Sequence, residues 1–419
     1  MKSLNFMAQN EIPTSMNQDA ATQSVLLSPV LVEEPVLISN ERDEIELVDQ
    51  DNQRSWIKRT WNGIHWTVSG LFGIVSLMIV LAILAAIPIV NLLALGYLLQ
   101  AEGEVARSGK LTQAFPMLNQ ARLIGGCLLG IFLCLLPLRY LGDFTSDAML
   151  VDPNSGLTRF LQILTSLAAV GVFLHLLGAL AAGGRLIRFF RPIKNVRTLI
   201  SEFRSRTLFS DRSLAVSVFV RSFQLRKTFL LGFWGALGIL MWTLIPTGLY
   251  AVADAPQGPQ ILITLAGGVL LTLVCSWVPV LQAGYACEER LSQYTQLKRA
   301  RQLFRRTPLL WTLALLLGYA MSIVLYLFKI VAPPQDALWL LTTVFIAIIY
   351  PARIYIGWVY SRSSRKMDEP WRIWRWFWSL VSFAICGFYV FLLFFTRNIG
   401  ANGKLVLFEQ PLLLIPSPF

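Results

Sequence analysis

Arg353 is the residue in this chain whose type and position most suggest chemistry. It lies within the apolar segment AIIYPARIYIGWVY, about two helical turns from the end of that segment. A charge at such a depth in a membrane is unfavourable by at least about 2.5 kcal/mol and often marks a function. The guanidinium could bind a lipid phosphate or carbonyls freed by Pro351, whereas extension of the long side chain to the interface is the reading the sequence favours. We therefore keep Arg353 as a candidate headgroup ligand.

The residues that usually perform catalysis are scarce. The sequence has only two histidines, and His175, which sits in an apolar stretch, has no Asp, Glu or Cys spaced to join it, so we interpret it as a buried hydrogen-bonding residue. The five cysteines form no CxxC pair, and no phosphate-binding or GxSxG motif occurs in a supporting context. We predict no catalytic residue, no metal, no cofactor and no enzymatic activity.

The composition is that of a membrane protein. Hydrophobic residues make up 55% of the 419 residues and charged residues only 14%. Apolar stretches long enough to cross a bilayer predict an all-α, polytopic transmembrane helical bundle of seven or eight spans. These stretches are 68–88, 123–141, 160–183, 229–252, 261–284, 309–331, 338–359 and 377–396.

Three regions follow from this pattern. Residues 1–53 are polar and acidic, with too little apolar surface to offset the entropy of ordering, and are predicted to be a disordered tail. Residues 54–396 form the transmembrane domain, and residues 397–419 a short external C-terminal tail.

The connections between spans differ sharply in charge. Lys and Arg crowd the connections after the third, fifth and seventh spans, whereas the charged residues of the intervening ones are Asp, apart from Arg159 directly before the third span. Because basic residues near span ends stay on the cytoplasmic side, the basic loops are predicted to be cytoplasmic and the C-terminus external, in a multi-pass protein of the cell (inner) membrane.

The segment AAIPIVNLLALGYLLQAEGEVARSGK poses a topological problem. The orientation places its charged end in the cytoplasm, yet cations before the first span also favour a cytoplasmic start, and residues 68–99 are too few for two crossings. A re-entrant helix broken at Pro88, with residues 89–100 returning and Asn91 bonding a freed carbonyl, satisfies both constraints. A kinked span followed by an interfacial helix is the alternative. Gly96 belongs to the same turn region.

The connector 185–228 is the most informative basic segment. It mixes Phe, Ile and Leu with many cations, and part of it has the spacing of a helix lying in the interface plane. Each such cation can gain about 1 kcal/mol against anionic lipid. The candidate headgroup ligands here are Arg185, Arg188, Arg191, Lys194 and Arg197. Cations that merely fix topology are the alternative.

The chain resembles, loosely, bacterial membrane families of unknown function that carry an IPIxNxxxxGYL-like turn. The match rests on Ile87, Pro88, Ile89, Asn91, Gly96 and Tyr97. Those families look similar to the membrane domain of some glycerophosphodiester phosphodiesterases. The resemblance implies a polytopic membrane domain only, because the chain shows no phosphodiesterase domain with acidic metal ligands.

Two functions remain open at this stage. One is a non-enzymatic membrane protein that organises anionic lipid or partner proteins through the connector 185–228 at the cytoplasmic surface. The other is a transporter or lipid translocator with a site near the Pro88 break and Arg353. The expected partners are membrane lipids, with a protein partner or a second copy of the chain also open, and no nucleic acid.

Overall fold

The structure, a computed structural model, describes a defined part of the chain. The described residues are 63–64, 66–181, 183–195, 197, 223–252, 258–330, 338–396 and 403–408. The predicted acidic tail at 1–53 lies outside them, as do residues 198–222 of the connector. Of the predicted external tail, residues 403–408 are described. These form a short 3₁₀ helix, Gly403–Phe408, whose buried Leu407 joins a hydrophobic cluster with Tyr250 and Leu393.

The described chain is helical, with no strand among the described ranges. Within the described ranges, eight helices are long and apolar enough to cross a membrane, which confirms the predicted all-α polytopic bundle and makes the chain an integral, multi-pass membrane protein. The helices are α1 Trp66–Ala86, α2 Asn91–Ser108, α3 Leu118–Val151, α4 Gly156–Ala181, α5 Leu186–Phe189, α6 Leu225–Tyr250, α7 Gln260–Glu288, α8 Leu297–Arg306, α9 Pro308–Ile330, α10 Leu338–Arg365 and α11 Arg372–Thr396. Helices α2, α5 and α8 are not among the eight candidate membrane spans.

The first two helices are separated by a tight turn at Pro88. Ile89 adopts a positive φ of 69°, a conformation that a β-branched residue rarely takes, so helix α1 cannot continue through it. The backbone N–H of Asn91 donates to the carbonyl oxygen of Ile87 at 2.9 Å and restarts the helical pattern. The predicted break at Pro88 is therefore present, and the described hydrogen bond from Asn91 across it is made by its backbone.

Helices α1 and α2 form a hairpin that begins and ends at one end of the bundle. Gly73 of α1 packs on Leu118 at the start of α3, and Ser76 packs on Gly125 further along α3, so α1 and α3 run in the same direction. Helix α2 ends at Ser108, only ten residues before Leu118. The Trp66 end of α1 and the C-terminal end of α2 therefore lie on the same side.

The turn of this hairpin stops part-way along the bundle. The carbonyl oxygen of Leu92, just after the turn, lies against Gly232, which is 18 residues before the end of α6 at Tyr250. That remainder corresponds to roughly 27 Å of helix. The turn therefore lies beside the first part of α6, which is consistent with the re-entrant interpretation of the sequence.

Helix α2 nevertheless differs from the predicted arm. It does not stop near residue 100 but continues to Ser108, and it packs against α6, α7 and α10 with eleven of its residues buried. Within AEGEVARSGK, whose charged end the sequence interpretation places in the cytoplasm, Glu102 is fully buried in the bundle. An interfacial helix in this place is equally excluded, because helix α2 lies at the centre of the bundle.

The hairpin gives a topological prediction. Seven candidate spans follow it in the part of the chain that the structure describes, so the Trp66 end and the Thr396 end should face opposite sides of the membrane. Reporter domains fused to the two termini should be accessible from opposite sides, with the C-terminal one external as the basic loops indicate. Reporters that are both accessible from outside would contradict the hairpin, because that pattern requires α1 to cross completely.

Candidate functional site

A buried ion pair joins α2 to α10. Arg353 donates from Nη1 to Oε2 of Glu102 at 2.9 Å, and the two side chains are 1% and 0% exposed. In a low-dielectric interior such a pair is favourable only when its geometry is good, because both charges have lost their hydration. The second carboxylate oxygen of Glu102 has no hydrogen-bond partner among the described residues.

Glycines bring the backbones close enough for this pair to form. A methyl group on Gly357 would lie 2.4 Å from the carbonyl oxygen of Glu102, and one on Gly103 would lie 2.1 Å from that of Ala286. Helices α10 and α7 therefore touch the backbone of α2 on two faces, at the level of the pair. Only small residues permit such an approach.

Arginines fix the C-terminal end of α2. Gly109 closes the helix with a left-handed φ of 71°, and Arg365 of α10 donates to the carbonyl oxygen of Ser108 at 2.5 Å. Arg107 in turn donates to the carbonyl oxygen of Cys287, near the end of α7, at 2.7 Å. These cations offset the negative ends of the two helix dipoles and hold the three helix ends together.

Tyrosines hold the connection that follows α2. Tyr350 donates to the carbonyl oxygen of Ala114 at 2.7 Å, and Tyr97 donates to that of Pro116. The two rings stack with their centroids 6.3 Å apart, and Phe115 stacks on Tyr350 at 5.4 Å. The loop from α2 to α3 is thereby fixed against the same face of α10 that carries Arg353.

A second ion pair lies at the very end of α7, where this span meets α8. Arg299 donates to the carboxylate of Glu288, which also accepts from the side-chain amide of Gln293. Burial lowers the pKa of the Arg299 guanidinium, but the hydrogen bond and charge of Glu288 more than offset this, so the net pKa lies above its ordinary value. Arg299 therefore stays charged and anchors the start of α8.

Arg353 was predicted either to bind a lipid headgroup or to extend to the membrane interface, and both predictions are wrong. A side chain that is 1% exposed and paired with Glu102 neither reaches the interface nor meets a headgroup. The sequence interpretation missed Glu102 because this residue lies outside all eight predicted spans. Two signals were available: a cation deep in a span needs a partner, and Gly96, Ala101, Gly103 and Ala106 give α2 the small-residue content of a closely packed helix.

The chemistry open to this pair is limited by its enclosure. Both side chains are sealed by protein in this conformation, so neither is presented to a substrate. No cluster of His, Cys, Asp or Glu that could hold a metal ion occurs among the described residues. The geometry is that of an ion pair that fastens helix α2 of the hairpin to α10.

The connector forms a separate site on α3 and α4. Helix α5 docks through buried Phe189, whose ring lies against Gly130, and through Leu186 beside Gly126. His175 bonds the carbonyl oxygen of Phe189 through Nε2 at 2.9 Å, and Asn195 donates to that of Arg188 at 2.7 Å. The hydrogen bond predicted for His175 is therefore present, but its side chain is half-buried where the prediction was a buried one.

The predicted headgroup ligands of the connector face outward. Arg185, Arg191, Lys194 and Arg197 are exposed and Arg188 is half-buried. Between them Ile187, Phe190 and Ile193 are 59%, 64% and 81% exposed. The structure thus brings these five cations together and places Arg353 in a different site, in the core with Gly96 and helix α2.

The comparisons with known proteins add no relative. The chain matches no family model, no curated protein and no solved structure. The resemblance carried by Pro88, Asn91, Gly96 and Tyr97 stays a prediction. What the geometry does establish is the class of the protein: this chain is a polytopic, all-α integral membrane protein.

Proposed function

We propose that this protein is a non-enzymatic membrane protein that binds and organises anionic lipid at the cytoplasmic surface. The single observation that supports this most directly is the connector, where exposed apolar side chains alternate with exposed cations. Ile187, Phe190 and Ile193 can enter the acyl boundary while the neighbouring guanidinium groups meet phosphate. Docking of α5 on α3 and α4 holds this surface in place.

Lipid retention tests the proposal. Native mass spectrometry of protein extracted in mild detergent should show more retained phosphatidylglycerol than phosphatidylcholine. Replacing Arg188, Arg191, Lys194 and Arg197 by glutamine should lower the mean number of retained anionic lipids, because each cation contributes about 1 kcal/mol near an anionic surface. Wild-type protein that retains both lipids equally would contradict the proposal.

The same surface could recruit an acidic partner protein or a second copy of the chain. Pull-downs at low and high salt with the connector variant would identify such a role. A partner that binds wild-type protein and the variant equally well does not use the connector.

A transporter or lipid translocator is the second candidate. The observation that favours it is the Glu102–Arg353 pair, because buried charges within a membrane bundle commonly belong to pathways that open in another conformation. The re-entrant hairpin broken at Pro88 supports the same reading, since discontinuous helices border the sites of many transporters. Purified protein in liposomes that moves neither labelled lipid nor common solutes would count against this candidate.

A further inference from the structure

A second group of arginines surrounds a cavity between α7, α8 and α11. The cavity has a volume of about 640 Å³. Arg301 and Arg305 reach it from α8, and Arg372 and Arg375 from the start of α11. Neither the connector nor the ion pair of the core takes part in it.

The charge around this cavity is largely uncompensated. Arg375 pairs with Glu369, but Arg301, Arg305 and Arg372 have no carboxylate within ion-pairing distance in the described part of the chain. Like charges that converge on one space repel each other, and an anion placed between them would relieve that repulsion. The guanidinium fork matches the oxygens of a phosphate group in particular.

The cations are held in place by the fold. Ala300 and Leu303 bury one face of α8 against the bundle, which leaves Arg301 and Arg305, one turn apart, on the cavity side. Arg301 lies over the ring of Trp277, 5.5 Å from its centroid.

Apolar surface continues directly from these cations. Leu273 and Phe383 line the same cavity and are exposed, and a neighbouring cavity of about 570 Å³ extends past Leu270 and Trp242 on the other side of Arg301. Trp376, also exposed at the cavity, is the kind of side chain that lies at headgroup level. A free phosphate would use only the cationic end, whereas an amphiphile would use both.

We propose that the cavity between α7, α8 and α11 binds the phosphate of one anionic lipid between Arg301, Arg305 and Arg372, with its acyl chains along Leu270, Leu273 and Phe383. This inference rests on the proposed function and names a specific site for it. The connector is a surface that collects lipid by charge, whereas this cavity offers one headgroup three converging arginines with apolar surface beside them.

Salt distinguishes the two sites. At ~0.5 M salt exposed charges are screened over a few ångströms, so lipid held by the connector should be lost. The arginines between α7, α8 and α11 are exposed as well, but a lipid held there should remain bound to the full-length protein at that salt concentration, because its acyl chains also pack along Leu270, Leu273 and Phe383. We expect one phosphatidylglycerol to survive, and its apparent affinity to fall at least about tenfold when Arg301, Arg305 and Arg372 are replaced by glutamine. The matched control, Arg185, Arg191 and Arg197 to glutamine, removes the same charge and should leave this lipid in place.

The outcomes separate the two claims. Wild-type protein that prefers no anionic lipid overturns the proposed function. Wild-type protein that prefers it, together with a cavity variant that still retains the salt-resistant lipid, overturns this site alone. Displacement by millimolar inorganic phosphate would identify a free anion as the ligand and overturn the lipid assignment. Unfolding midpoints identify a misfolded triple variant, in which case Arg372→Gln, at an exposed position, is measured instead with the same expected direction.

Discussion

Replacing Arg353 by methionine should lower the free energy of unfolding by about 3–5 kcal/mol, the usual effect of removing one partner of a buried ion pair. The carboxylate of Glu102 would remain enclosed at 0% exposure with no cation to balance it. Glu102→Gln should also lower the free energy of unfolding, because it leaves the guanidinium of Arg353 buried without its charged partner. Equilibrium unfolding in mixed micelles, followed by circular dichroism, measures both changes.

A double variant and a control make this prediction specific. Glu102→Leu with Arg353→Met removes both charges and should be more stable than either single variant, since well-packed apolar replacements of buried pairs are often neutral. Arg362→Met on the same helix is the control. Arg362 is exposed and lies over the ring of Trp358 at 5.1 Å, so its loss should be no more than about 1 kcal/mol. Equal losses for Arg353→Met and Arg362→Met would contradict a buried pair.

The same double variant bears on function. If the pair serves only to hold α2 against α10, a folded variant with leucine at 102 and methionine at 353 should keep the lipid retention of the wild-type protein. If it retains its fold but loses lipid movement in liposomes, the pair belongs to a pathway, and the second candidate function gains support. Stability and flux must therefore be measured on one preparation.

The positions of the spans and of the connector could be predicted from the sequence because both depend on local composition. A stretch of about 20 apolar residues is stable across the bilayer, and a segment that mixes cations with apolar side chains such as Phe190 and Ile193 is stable at the membrane interface. The break at Pro88 was predictable for the same reason, since proline removes a backbone donor within its own helix.

The ion pair could not be predicted in this way because its partners are 251 residues apart. A glutamate followed by Glu104 and Arg107 resembles solvated sequence, and only the packing of α2 against α10 removes Glu102 from water. The arginine-lined cavity between α7, α8 and α11 could not be predicted for the same reason. The segment around Trp376 fits an interfacial belt by composition, and the convergence of Arg372 with Arg301 depends on how α8 folds back on α7.

Gly96→Ala should destabilise the protein by about 1–3 kcal/mol, although alanine is the better helix former, because the helices at this crossing have no space for a side chain. A methyl group on Gly96 would lie 1.8 Å from the carbonyl oxygen of Thr228, and one on Gly232 would lie 1.9 Å from that of Leu92. Backbone atoms cannot move aside as a flexible side chain can, so α2 and α6 must separate. Gly232→Ala should therefore have the same effect as Gly96→Ala.

The matched control for both is Gly171→Ala, in the middle of α4, where no described atom beyond the helix's own nearby backbone lies within 4 Å of the added methyl group. Its expected effect has the opposite sign, a gain of up to about 1 kcal/mol from helix propensity. Because separation of α2 from α6 also draws Glu102 away from Arg353, Gly96→Ala combined with Arg353→Met should lose less than the sum of the two single variants. Strict additivity would show that the glycine crossing and the ion pair act independently, contrary to the packing of one rigid hairpin against α6 and α10.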